Sequence, residues 1–212
     1  MYQLEDPLVY LQNDPLLKSQ FKELVMTKIT AFHENELRKK AQGNDLMQYL
    51  NVNLCGLRGR HHPCLSNVIT VDEVKKMRPH LKLLTGDYLT YKRKFDETGK
   101  GNPICRLCRT ESESICHIVA ICPAYNITRN KIIEEMSELC LVARSELNFQ
   151  EILNNPNTLT QFILDPTSFN LKLRVNISDP IVTPLFNLSR DLCNCIHIER
   201  MKRLNSMKKN QS

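Results

Sequence analysis

The stretch from Cys105 to Cys122 constrains this 212-residue chain more than any other. Its spacing is C-x2-C-x8-H-x4-C, carried by Cys105, Cys108, His117 and Cys122. Two cysteines separated by two residues let one tight turn present both sulfurs to a single ion, because the intervening backbone folds back and points its amides at the thiolates. His117 and Cys122 complete a tetrahedral Cys3His set of the kind that structural zinc takes. The competing reading is four reduced residues that share a core by coincidence, and the specificity of the spacing sets it second. Thr110 to Glu113, or Ser114 alone, can cap a short helix through Ile121, which Pro123 ends. On that helix His117 and Cys122 lie about 140° apart, so they share an ion only if Cys122 sits on an unwinding last turn. Cys116 is the competitor ligand; it stands about 100° from His117, and only one of the two can bind. Ile118, Val119 and Ile121 are expected to cover the ion's apolar side.

Nine cysteines agree with metal binding and burial better than with disulfides, and their odd number points the same way. The first residues, Met-Tyr-Gln-Leu-Glu-Asp-Pro, lack the basic start and apolar run of a signal peptide, and no stretch has the length of a membrane span. The expected location is therefore intracellular, cytoplasm or nucleus, with no membrane partner. The sequons at Asn126, Asn176 and Asn187 are expected to go unused. With 25% charged and 42% hydrophobic residues, the chain lies in the ordinary range for soluble globular proteins.

Charge is unevenly placed. From Lys75 to Arg109 the chain carries a net charge of +7 against +6 for the whole, so the remainder is slightly acidic and the positive field gathers on the approach to the Cys105 turn. Within that approach, Tyr88, Tyr91 and Phe95 interleave with Lys92, Arg93 and Lys94. Rings that stack on bases beside cations that pair with phosphates suit nucleic acid. The same rings at spacings of three and four also make one helical stripe, which packs into a core and leaves Lys-Arg-Lys as a solvated face. Both readings stand at the level of sequence.

Residues 1 to 15 form a lead-in with two Asp-Pro turns. Leu17, Phe21, Leu24, Val25, Ile29, Phe32 and Leu37 recur near helical period to about Gln42, with Asp14 as cap and Pro15 at the first position, and Gly43-Asn44-Asp45 ends the helix. A shorter helix is expected over Leu46 to Leu50. Cys55 to Cys64 is a basic, glycine-rich loop holding His61 and His62. A second metal site there is disfavoured because adjacent histidines diverge, C-x8-C is not a ligand-turn spacing, and no acidic partner is nearby to orient an imidazole. Hydrolysis through Cys64 with His61 or His62 ranks lower still.

Thr70 and Glu73 have the spacing of a capping box before a helix that Pro79 interrupts. Further helices are expected over 127–142, 149–153, 159–164 and 183–207, with Leu185, Leu188, Leu192, Cys195, Ile196 and Met201 on the apolar stripe of the last and Cys193 and Cys195 in packing roles. Residues 165–180 read as a polar excursion. The expected fold is mainly α, an irregular helical domain organised around one Cys3His turn and short helix. Its segments are 1–70 (N-terminal helix and loop), 71–135 (basic helix plus metal-binding core) and 136–212 (C-terminal helices with a basic tail).

Leu81-Lys-Leu-Leu-Thr-Gly-Asp-Tyr88, Cys105-Arg-Leu-Cys108, Glu113 four residues before His117, His117-Ile-Val-Ala-Ile-Cys122 and Arg129 together resemble a known arrangement. It is the segment beyond the polymerase domain in reverse transcriptases of animal non-LTR retrotransposons. Gly59-Arg-His-His-Pro63, Phe162-Ile-Leu-Asp165 and Ser189-Arg-Asp-Leu-Cys193 resemble further parts of that tail, so the resemblance spans residues 20 to 203. It implies a CCHC-type zinc finger on a segment that helps a polymerase hold RNA and target DNA, with a reverse transcriptase core as partner.

No aspartate pair on an apolar hairpin and no carboxylate cluster of nuclease type appear in the sequence, so no catalytic residue and no catalysis by this chain alone are expected. The leading expectation is a zinc-stabilised nucleic-acid-binding module contacting RNA or DNA through Lys82, Tyr88, Tyr91, Lys92, Arg93, Lys94, Arg106 and Arg109. The alternative is a zinc-stabilised helical module that docks on a protein.

Overall fold

Helical periodicity and well-placed caps translate into helices over most of the described chain. The computed structural model describes residues 17–54, 62–65, 70–142, 148–169 and 181–209. Its helices are α1 (Lys18–Gln42), α2 (Val71–Leu84), α3 (Tyr91–Thr98), a π-helical turn (His117–Ile121), α4 (Asn126–Val142), α5 (Phe149–Asn154), α6 (Pro156–Leu164) and α7 (Val182–Lys209). The mainly α expectation is met, and among the described residues the only β pairing is an isolated antiparallel bridge between Ile104 and Ser112.

The chain divides into two compact units, one formed by Met1–Asp45 with Val52–His61 and the other by Leu46–Asn51 with His62–Ser212. The first holds α1 and a 3-10 turn, Val52–Leu54. Its helix starts with the Leu17 amide donating to Gln20 Oε1 at 3.0 Å and ends where Gly43 N–H reaches the Lys39 carbonyl. Asp14 and Pro15, expected to open it, lie outside the described residues. No residue of α1 is buried.

The second unit carries one apolar core that draws on the Cys105–Cys122 segment and on the C-terminal helices alike. α7 packs along α2 and α4, while α6 packs on the π-helical turn. Phe162, Ile163, Leu164, Leu185, Phe186, Leu192 and Ile196 are fully buried there. Each side chain of this size contributes about 1.5–3 kcal/mol by leaving water. Cys193 joins that core, but Cys195 and Met201 are exposed, which corrects their expected place on the packed stripe. On α7 they fall at positions rotated away from the seam with α2 and α4.

The capping box at the start of α2 forms as the sequence indicates. Thr70 Oγ1 accepts from the Glu73 amide at 3.2 Å and the Thr70 amide donates to Glu73 Oε2 at 2.7 Å. Pro79, by contrast, does not interrupt this helix, which runs unbroken to Leu84 with Pro79, His80, Leu83 and Leu84 buried. Packing against α7 and the contact between His80 Nε2 and the Leu164 carbonyl at 2.8 Å hold the turn against the proline's local preference. The expected helix over Leu46 to Leu50 is only a 3-10 turn at Asp45–Met47.

Gly86 follows α2 with φ +71°, and a Cβ there would stand 2.3 Å from the Leu46 carbonyl oxygen. Glycine is therefore the residue that lets the chain pass Leu46 on its way to α3. Thr90 caps α3 by accepting from the Arg93 amide at 3.0 Å.

Candidate metal centre

Two backbone pairings fold the Cys105 turn. The Cys105 amide donates to the Glu111 carbonyl and the Glu113 amide to the Pro103 carbonyl, each at 2.8 Å, flanking the Ile104–Ser112 bridge. Inside this hairpin the Arg109 amide closes on the Cys105 carbonyl at 2.8 Å. Arg109 takes φ +62°, the one described non-glycine residue in the left-handed region. That conformation costs an L-residue roughly 1–2 kcal/mol.

Ser114 is the cap of the following helical turn. Its Oγ accepts from the His117 amide at 3.0 Å and its carbonyl from the Ile118 amide at 3.0 Å. From His117 to Ile121 the helix then widens into a π turn, closed by the Cys122 amide donating to the His117 carbonyl at 2.6 Å. This resolves the angular problem posed by the sequence. An i to i+5 bond puts residues five apart about one turn from each other, so His117 and Cys122 come to one side without fraying. Cys122 leaves with ψ 119° and Pro123 starts a new 3-10 turn, so the Cys122 sulfur is delivered from the helix exit rather than from an unwound end.

The Cys105, Cys108, His117 and Cys122 donor atoms all lie within 4.8 Å of one another, close enough to hold one metal ion. Cys105 Sγ and Cys122 Sγ are 3.9 Å apart, and Cys108 Sγ and His117 Nε2 3.3 Å. Cys105, His117 and Cys122 are buried and Cys108 is half-buried. Cys116 is not part of the group; its thiol meets Thr160, and burial raises its pKa. Ile118 and Val119 are buried while Ile121 is half-buried.

The closeness of the donors makes the cluster share its protons. A hydrogen bond from the Cys122 thiol, aided by His117, brings Cys105 down to about 3, and the resulting thiolate pushes Cys122 up. Burial opposes ionisation of Cys108, but the Thr110 hydroxyl, with Oγ1 at 3.1 Å from Sγ, and the Thr110 amide bring it below the usual thiol range. The Cys105 thiolate in turn raises His117 to about 9. Three sulfurs this close cannot all be thiolates beside a neutral imidazole unless a cation sits among them, and binding one releases the shared protons. His117 Nδ1 faces Glu111 Oε2 at 3.4 Å, the carboxylate partner that fixes a ligating imidazole.

Two buried cations tie this turn to the core. Arg129 donates to the Cys122 carbonyl at 3.1 Å, to the Ile121 carbonyl at 3.5 Å and to Asn126 Oδ1, answering carbonyls that the end of the π turn leaves free. Glu113, between Cys108 and His117 in sequence and fully buried, accepts from Arg200 Nη2 at 2.6 Å and from the Tyr91 amide at 3.0 Å. Burial raises the Glu113 pKa while Arg200 opposes that rise. Arg200 also lies 5.4 Å from the Tyr88 ring centre and 5.6 Å from that of Tyr91. One carboxylate thus joins the Cys105 turn, the start of α3 and α7.

The expected nucleic-acid contacts divide in the structure. Tyr88 is buried, edge-on to His197, with its hydroxyl 3.0 Å from His197 Nδ1. It is a core residue and cannot stack on a base, which corrects its expected role. Tyr91 is half-buried, with Arg106 4.8 Å from its ring centre as well as Arg200. Lys92 pairs with Asp96, and Arg93 with Glu97 and Asp87. Lys82, Lys94, Arg106 and Arg109 are exposed.

A second buried polar group went unread in the sequence. His62 Nε2 stands 3.2 Å from Asp165 Oδ2, and His62 Nδ1 accepts from the Cys64 amide at 3.2 Å. Asp165 Oδ2 also accepts from the Asn51 amide at 2.7 Å, and Oδ1 from the Thr167 amide at 3.1 Å. His62 therefore has the acidic partner that its sequence neighbourhood lacks, supplied from the far end of α6. Cys64 is buried, and its pairing with His62 runs through the backbone amide. Cys55 and His61 lie outside the described residues.

Compared with protein-family models, curated proteins and solved structures, the chain matches none.

Proposed function

We propose that this chain is a zinc-stabilised module that binds nucleic acid. The reading is carried by the agreement between the donor cluster and one tetrahedral zinc. Bond lengths of about 2.3 Å to sulfur and 2.0–2.1 Å to nitrogen, at tetrahedral angles, require about 3.8 Å between sulfurs and about 3.5 Å between sulfur and nitrogen. Cys105 Sγ to Cys122 Sγ is 3.9 Å and Cys108 Sγ to His117 Nε2 is 3.3 Å, and all the donor atoms lie within 4.8 Å of one another. A cluster of two irons would spread its ligands across two metals, whereas these donors converge on a single point. Four protein ligands leave no place for a reacting water, so the zinc is structural and takes no part in catalysis.

Nucleic acid as the partner is supported by the concentration of positive charge from Lys75 to Arg109. It also fits the resemblance to the post-polymerase tail of animal non-LTR retrotransposon reverse transcriptases, whose polymerase core would be the natural companion. Binding of a fluorescent single-stranded RNA or duplex DNA that weakens steeply with salt tests the reading; a chain that binds neither at low salt defeats it.

One observation favours a second reading, docking on a protein. Leu17, the residue before α1, and Phe21, Met26 and Leu37 on it are all exposed. Salt-insensitive association with a protein, in the absence of nucleic-acid binding, would select it.

A further inference from the structure

The run Lys92-Arg93-Lys94 is the most basic stretch before the Cys105 turn, yet the structure disarms most of it. Lys92 Nζ is 2.6 Å from Asp96 Oδ2, and Arg93 is held by Glu97 at 2.6 Å, by Asp87 at 3.3 Å and by the Gly86 carbonyl at 2.7 Å. Among the described residues no acid pairs with Lys94, Arg106 or Arg109, all of them exposed. Glu111, the nearest acid in sequence to Arg109, is turned towards His117. Arg106 lies over the ring of Tyr91, and Lys94 stands one helical turn beyond Tyr91 on α3. Arg109 holds its position in a left-handed conformation that glycine would adopt freely. A strained arginine at an exposed turn is explained if the charge itself is used there.

We infer, on the reading that the module binds nucleic acid, that the rim of the metal turn makes the contact through Arg106, Arg109 and Lys94, and that the α3 pair Lys92 and Arg93 does not. The three cations pair with the phosphodiester backbone. Tyr88 is buried and Tyr91 already carries Arg106 and Arg200 against its ring, so of the three rings in this stretch Phe95, 38% exposed, is the one left open.

The test is fluorescence anisotropy with a labelled oligouridylate of about 20 nucleotides, on the zinc-loaded full chain. Each cation lost from a single-strand contact lowers affinity about fivefold at about 0.1 M salt and flattens the salt slope by about 0.7. Arg106→Gln with Arg109→Gly is therefore expected to weaken binding about 25-fold. Arg109→Gly alone is expected to weaken binding while leaving zinc content and helicity unchanged, which separates contact from folding. Lys92→Gln with Arg93→Gln is expected to change affinity less than about twofold. Equal losses from the two double variants, or a larger loss from the α3 pair, would overturn the assignment while leaving nucleic-acid binding intact. A wild-type chain that shows no salt-sensitive binding defeats the binding reading and this assignment together.

Discussion

Replacing Glu113 by alanine should be among the most damaging single changes that leave every metal ligand in place. The carboxylate is 1% exposed and its partner Arg200 is 9% exposed at the side chain, with 2.6 Å between them. Removing one member of such a pair strands the other in the core, at a cost of about 3–5 kcal/mol. The Tyr91 amide loses its acceptor as well. The exposed pair Lys92–Asp96 is an internal reference, because its separation is the same 2.6 Å but its side chains are 46% and 53% exposed. Solvent screening leaves a pair of that kind worth about 0–1 kcal/mol. Urea unfolding of the zinc-saturated protein, followed by far-UV circular dichroism and by fluorescence to check that the transitions coincide, measures both. Glu113→Ala together with Arg200→Met should recover part of the loss, since an apolar replacement of both members leaves no buried charge. If Glu113→Ala costs no more than Asp96→Ala, the turn is not anchored through this pair.

Two further outcomes follow from the buried groups. Burial holds His80 down to about 4 against an ordinary 6.5, so between those values the unfolded chain takes up a proton that the folded chain refuses. Stability should therefore fall as pH drops from about 6.5 to about 4, by about 3 kcal/mol from this residue. His80→Gln should remove that part of the acid sensitivity, and wild-type and variant stability curves that stay parallel with pH would contradict it. Gly86→Ala should cost more than about 2 kcal/mol, because its Cβ meets the Leu46 backbone, whereas Gly99→Ala, at φ +63° with open space around it, should cost only about 1 kcal/mol. Equal losses in thermal or urea unfolding would count against the close approach of Gly86 to Leu46.

Much of this architecture is readable from local sequence because its causes are local. The Thr70–Glu73 capping box, the helix starting at Asn126 and the gathering of Cys105, Cys108, His117 and Cys122 all follow from spacing over a few residues. The π turn does not, since the sequence offers only the mismatch between five residues and an α-helical turn, and either fraying or widening resolves it. Pro79 reads as a break because its local cost is visible and the packing of α2 on α7 is not. Arg200 and His62 find their acids 87 and 103 residues away along the chain, at separations where no periodicity or motif links them. Tyr88 and Lys92 show the limit for function. A basic, aromatic stretch is evident from composition, but which members face inward or are already paired is settled only by the fold.

Metal content tests the central claim most directly. Protein purified without added metal should carry about one zinc per chain by elemental analysis, and Cys105→Ser or His117→Ala should lose it along with cooperative folding. Because Cys116 faces Thr160, Cys116→Ser should keep the full metal content. A chain that is metal-free, helical and cooperatively folded, or one in which Cys116→Ser loses the ion while Cys105→Ser retains it, would contradict the assignment of the site.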